Sequence, residues 1–232
     1  MAAVAAAQGW FPAVGLILGA SLVALDRLAT RALPEPTTDV ILVVALVALT
    51  GALHLDGLAD AADGLLGGHD PRRRLEIMRD THTGAFGVVA IVSVLALKVA
   101  GLNALPRDVR FESLLLVPCA ARFSAVLVAA AFPYARAEGI GVAFHALAWP
   151  RGLLAAAATA AAAALVLLGP AGLTIVAFAA ACAIAGGWFA TRMVGGMTGD
   201  LYGATIETSE ALLFLFVAAI ANRGWLGGWA LA

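Results

Sequence analysis

An all-α fold, a polytopic transmembrane helix bundle, is the class this sequence predicts, and three observations predict it. Hydrophobic residues make up 62% of the chain and charged residues only 12%, about half of what a water-covered surface needs. The apolar residues gather in long runs rich in Ala, Leu and Val, unlike the short alternating segments of a β-barrel. Open sheet edges would find no water to bond inside hydrocarbon, so the runs are helices, roughly 20 residues for each crossing. The expectation is one integral membrane domain, 1–232, with about seven crossings and a range of six to eight.

The elements follow from the apolar runs and their breakers. A first crossing runs from Trp10 to Leu28, ahead of a short loop with Pro34 and Pro36; a second covers Asp39 to Leu55. A polar stretch, Asp56 to Thr83, is expected to connect it to a third crossing, Gly84 to Leu105. The fourth is Glu112 to Phe132, and Pro133 to Pro150 makes a second polar connection. Gly152 to Leu168 and Leu173 to Met193 are the fifth and sixth, joined by a tight turn at Gly169-Pro170. After a glycine-rich break at Gly195 to Asp200, the seventh reaches Asn222. Seven crossings put the Asp-rich stretch, the Tyr134–Gly141 connection and the Gly195–Asp200 break on one face. Seven connecting-segment arginines fall on that face against five on the other, which orients it toward the cytoplasm of a cell inner membrane.

A net charge of −1 gives no electrostatic case for nucleic acid. Cys119 and Cys182 lie inside separate apolar runs without ligand spacing and read as packing residues. Homo-oligomerisation is compatible with the composition but not specified by it.

The chemistry concentrates in the run from His54 to Gly64. If it is helical, Asp56, Asp60 and Asp63 fall at i, i+4 and i+7 on one face, with Leu58, Ala59, Ala61 and Ala62 elsewhere. Like charges on one stripe repel, and a divalent cation removes the repulsion. Mg²⁺ bridges one or two carboxylates to substrate phosphates, so the stripe predicts a metal-dependent phosphate site. Downstream, Arg74 and Arg79 are candidates to clamp phosphate oxygens. Asp80 is a candidate metal ligand or base, while Arg72 and Arg73 are equally well read as headgroup anchors. His54 and His82 flank the cluster. In the run Gly195 to Asp200, Gly196 and Gly199 are candidates to cradle a phosphate with backbone N–H groups. Asp200, Glu207 and Glu210 open the last crossing, where helix-end charge balance is an alternative explanation for them.

These stretches resemble a known family. HLDGLADAADGL (His54–Leu65) with RRLEIMRDTHTGAFGV (Arg73–Val88) is similar to the signature of the adenosylcobinamide-GDP ribazoletransferase (cobalamin synthase) family. WFPAVGLILGA, PYARAEGIG (Pro133–Gly141) and GGMTGDLYGATIETSE (Gly195–Glu210) agree with it. Met197 departs from the pattern, standing where the family usually carries Gln.

The resemblance implies that adenosylcobinamide-GDP and α-ribazole, or its 5′-phosphate, are joined into adenosylcobalamin, or its 5′-phosphate, with release of GMP. It implies Mg²⁺ held by Asp56, Asp60, Asp63, Asp200 and Glu207. Asp80, His82 and Asp63 would be the catalytic residues, and Arg74, Arg79, Arg136, Gly196 and Gly199 would contact substrate. A CDP-alcohol phosphatidyltransferase is a rival reading, weakened because Asp60, not Arg, follows Ala59. A cation-coupled transporter would spread its acids over the midplane of several crossings, and here they cluster at helix ends.

Overall fold

The computed structural model describes residues 8–136 and 151–226, which form eight α-helices after a 3-10 turn at Gln8–Trp10. They are α1 (Phe11–Ala29), α2 (Glu35–Leu49), α3 (Leu53–Gly67), α4 (Pro71–Ile77), α5 (Ala85–Asn103), α6 (Arg107–Ala131), α7 (Arg151–Val194) and α8 (Gly199–Ala221). Gly139 and His145 lie outside the described residues.

The central helix is α6, buried along most of its length. Small residues let α1 close on it. A Cβ at Gly15 would stand 2.4 Å from the Pro118 carbonyl oxygen, and one at Gly19 would stand 2.5 Å from that of Leu114. Such a Gly-xxx-Gly face brings backbones together where lipid offers no hydrophobic drive. The main core joins Leu22, Leu42, Leu116, Leu168 and Phe214 from five different helices.

Among the described residues, five helices are long and apolar enough to cross a membrane, or six if α2 and α3 count as one span bent by 89°. The 44-residue α7 is itself folded. Gly169 has φ 59 and ψ −156, and a Cβ on Gly172 would stand 2.4 Å from the Ala164 carbonyl oxygen. Residues eight apart in an unbroken helix are separated by about 12 Å. Ala156 and Ala160 also share a cluster with Val176 and Ala180, so α7 is a hairpin of two arms, 151–168 and 170–194. Counting both arms gives seven spans with the bent pair.

The second predicted crossing needs correction. It extends to Leu55 in the sequence reading, but α2 stops at Leu49, and Gly51 and Ala52 take φ of 60 and 58. The Ala52 N–H donates back to the Val47 carbonyl at 2.9 Å, the six-to-one closure of a left-handed helix end. The polar stretch after it is therefore two helices, α3 and α4, and not an open connection.

At the end of the bundle away from α3, charges close on one another. Arg110 bonds Asp26 at 2.8 Å and Asp39 at 2.6 Å, and the Asn103 amide donates to Asp39 at 3.3 Å. Arg107 pairs with Glu35 at 2.5 Å.

Candidate active site

Helix α3 realises the predicted stripe. Asp56, Asp60 and Asp63 all lie in it, while Gly57, Leu58, Ala59 and Ala61 are buried on its packed side. Leu58 meets Val94 of α5 and Ala211 of α8, which fixes the rotation of the helix. Glycines set its distance from α8. A Cβ on Gly57 would stand 2.9 Å from the Asp200 carbonyl oxygen, and one on Gly203 would stand 3.0 Å from that of His54. The stripe therefore sits against the first turn of α8, and Asp56, Asp200, Asp63 and Arg136 are the charges acting on Asp60. Asp56 is exposed, and among the described residues neither it nor Asp60 has a side-chain hydrogen bond or ion pair.

Asp63 differs from its two neighbours on the stripe. Its Oδ2 accepts from the Gly84 N–H at 2.7 Å and its Oδ1 from the Gly87 N–H at 2.9 Å. It caps the N-terminus of α5 from another helix, satisfying donors that have no partner within their own helix. Only glycine admits it: a Cβ at Gly84 or Gly87 would come within 2.6 or 2.5 Å of those oxygens.

The second and third polar segments meet at a two-stranded contact. The Met197 N–H donates to the Pro133 carbonyl at 2.7 Å, and the Ala135 N–H donates to the Met197 carbonyl at 2.8 Å. Because the Met197 backbone makes these bonds, the family's usual Gln is not needed for them. Gly196 is buried here because a Cβ would stand 2.4 Å from the Pro133 carbonyl oxygen. The close approach of the Pro133 backbone requires glycine at this position. Gly199, at the start of α8, is exposed and has open space around it. The contact delivers Arg136, whose Nη2 bonds Asp200 Oδ2 at 2.7 Å.

Helix α4 is capped by Asp70, whose Oδ1 accepts from the Arg73 N–H at 2.9 Å, a bond that holds this carboxyl below its usual value. Arg74 turns inward and donates to the Met193 carbonyl at 3.1 Å, tying α4 to the end of α7. It is therefore partly occupied as an anchor, while Arg79 stays exposed. After α4, Asp80 Oδ1 accepts from the His82 N–H at 3.0 Å and lies 2.8 Å from His82 Nδ1. The His82 hydrogen bond pulls the Asp80 carboxyl below its ordinary range. An ionised carboxylate only accepts, so Nδ1 is the donor in this contact, and in the neutral imidazole that leaves Nε2 as an acceptor.

Below the stripe lies a network the sequence reading did not find. Lys98 Nζ donates to Glu207 at 2.7 Å and to Glu210 at 2.5 Å, and Arg122 bonds both Glu210 and the Pro118 carbonyl. All four side chains are buried, and their formal charges cancel. His54 faces this group from the start of α3. Glu207 belongs to it and not to the stripe: seven residues along α8 separate it from Asp200 by about 10 Å. A lone Lys98 in one apolar run and a lone Arg122 in another were the available signal, because such charges demand partners inside the bundle.

Among the described residues, no three His, Cys, Asp or Glu side chains are grouped closely enough to enclose a metal ion. Comparison with known proteins gives a coherent result. The family profile described as Cobalamin-5-phosphate synthase matches residues 1–218. The chain is 43% identical over 212 residues to the adenosylcobinamide-GDP ribazoletransferase of Syntrophobacter fumaroxidans, covering 91% of this chain and 86% of that one. The protein of the same name from Geotalea daltonii is 40% identical over 220 residues, covering 93% and 87%. The one from Acetivibrio thermocellus is 34% identical over 205 residues, covering 88% and 83%. No solved structure matches.

Proposed function

The chain belongs to the cobalamin-5-phosphate synthase family, and from that membership we propose that it joins adenosylcobinamide-GDP to α-ribazole, or to its 5′-phosphate. The 5′-hydroxyl oxygen bonds to the phosphorus on the cobinamide side, the pyrophosphate bridge breaks, and GMP leaves with the bridging electron pair. Adenosylcobalamin, or its 5′-phosphate, is the other product. Such a transfer needs positioning and charge neutralisation more than covalent help.

One arrangement carries this reading: the free carboxylates of Asp56 and Asp60 stand beside the Arg136–Asp200 pair on the rim. Gly57 supports it, since any larger residue would push the stripe away from Asp200. Asp56 and Asp60 would hold Mg²⁺, an ion that takes one or two protein carboxylates and fills its shell with water and phosphate. When bound, the ion neutralises charge on the pyrophosphate and on departing GMP. Asp63 and Glu207 drop out of the holding set, because one caps α5 and the other bonds Lys98.

Exposed Arg79 and rim-facing Arg136 bind phosphate oxygens. His82 receives the hydroxyl proton at Nε2, and Asp80 fixes the ring through Nδ1. The arginine distribution supports a site facing the cytoplasm across an inner membrane.

The test is direct. Protein purified into lipid nanodiscs with Mg²⁺, adenosylcobinamide-GDP and α-ribazole should release GMP in step with adenosylcobalamin formation. Neither product appearing under these conditions would remove the reading.

A further inference from the structure

Between α4 and residues 134–136 lies an open cleft of about 490 Å³, lined by Pro71, Arg72, Leu75, Glu76, Arg79, Ala135 and Arg136. Its volume falls within the roughly 300–1,000 Å³ of small-molecule sites. Arg136 joins it to the carboxylate stripe through Asp200. A pyrophosphate held at that junction would extend its nucleoside into the cleft, where three guanidinium groups favour an anionic ligand.

Among the described residues, Glu76 is the one carboxylate of the lining, which is unexpected in a cleft for phosphates. Its Oε1 accepts from Arg72 at 3.1 Å and its Oε2 from Arg73 at 3.3 Å, both at solvent-exposed positions where such pairs contribute little. A carboxylate has about four acceptor sites, so both oxygens keep lone pairs for a ligand. Guanine presents two parallel donors, N1–H and the 2-amino group, at the spacing of two carboxylate oxygens. Adenine presents an acceptor at N1, which a carboxylate repels.

We propose that this cleft is the nucleoside subsite and that Glu76 is the residue that reads the guanine base. The inference rests on the reaction proposed above and adds the determinant of its nucleotide specificity. Arg79 and Arg136 hold the phosphates, and Glu76 selects the base.

The experiment compares adenosylcobinamide-GDP with its inosine analogue, in which hypoxanthine lacks the 2-amino group, measuring nucleoside monophosphate release from the nanodisc protein. A hydrogen bond to a charged group makes the guanine substrate better in kcat/KM by roughly ten- to a hundredfold. Glu76→Ala should bring the two substrates to within about twofold of each other. Arg73→Ala removes one of the ion pairs on Glu76 without touching the cleft lining, and it should keep the wild-type preference.

A uniform loss of rate in Glu76→Ala with the base preference intact would overturn the assignment and leave the carboxylate a helix-stabilising partner. So would a wild-type protein that turns over both substrates equally, although the reaction itself would then stand. Absence of turnover with either substrate defeats the reaction and this assignment together.

Discussion

Both ends of the bundle carry acidic side chains, and they treat them oppositely. At the far end, Arg110 lies between Asp26 and Asp39, and Arg107 closes on Glu35. At the near end, Asp56 and Asp60 point along one face of α3 with no cation among the described residues bonded to either, and Arg136 is bonded to Asp200. Buried or rim-level carboxylates in a membrane bundle are costly unless something compensates them. The far end supplies the compensation from the chain and acts as a lock. Among the described residues, the near end leaves Asp56 and Asp60 without such a partner, and the proposed function gives that role to a cation from outside.

Substitutions at the two ends should therefore separate activity from stability. Asp60→Asn should lower GMP release by more than about a hundredfold while the thermal melt stays where it was. Asp39→Asn should do the reverse, costing about 3 kcal/mol by stranding part of the Arg110 charge and leaving kcat near wild type. Asp60→Asn protein with most of its activity would end the distinction. Next in size, EDTA should stop turnover and Mg²⁺ restore it, with the Asp39→Asn protein responding identically to wild type. Indifference to chelation would mean that the near-end carboxylates are compensated by something other than a divalent ion.

The buried network between the ends sharpens the contrast. Lys98→Met leaves Glu207 and Glu210 facing Arg122 alone and should destabilise by about 3–5 kcal/mol, read from thermal unfolding in detergent. Adding Glu207→Gln should restore part of that loss. An additive, more damaging double variant would show that the network is not a closed set of charges.

The smallest effect concerns Asp80. Its carboxyl titrates below the ordinary aspartate value because His82 hydrogen-bonds it, so the pairing persists through that value and is lost only as pH falls further. Carbon-13 NMR of labelled aspartate should show this titration move up in His82→Ala, and an unmoved titration would uncouple the pair.

Much of this arrangement was legible in the residues. Helical spacing alone put Asp56, Asp60 and Asp63 on one face, and α3 carries them so. Crossing parity put three polar segments at one end, and the Tyr134–Met197 contact and the Arg136–Asp200 pair join two of them there. The right-angled entry into α3 was not legible, because it depends on Ala52 adopting a left-handed conformation that no residue type announces. The packing partner of Gly196 was not legible for a related reason: glycine signals close approach, but the Pro133 backbone that approaches is distant in sequence.

What the sequence by itself determined is the solvent, the helix periods and the chemistry-bearing side chains, because composition and spacing are local properties. The tertiary structure alone decided which carboxylates are free. Asp63 is closed by Gly84 and Gly87, and Glu207 by Lys98, through contacts between helices far apart in the chain. Three aspartates equivalent in their spacing thus become two open groups and one cap. A charge's function depends on what lies within hydrogen-bond reach, and in a folded bundle most of those neighbours are remote in sequence.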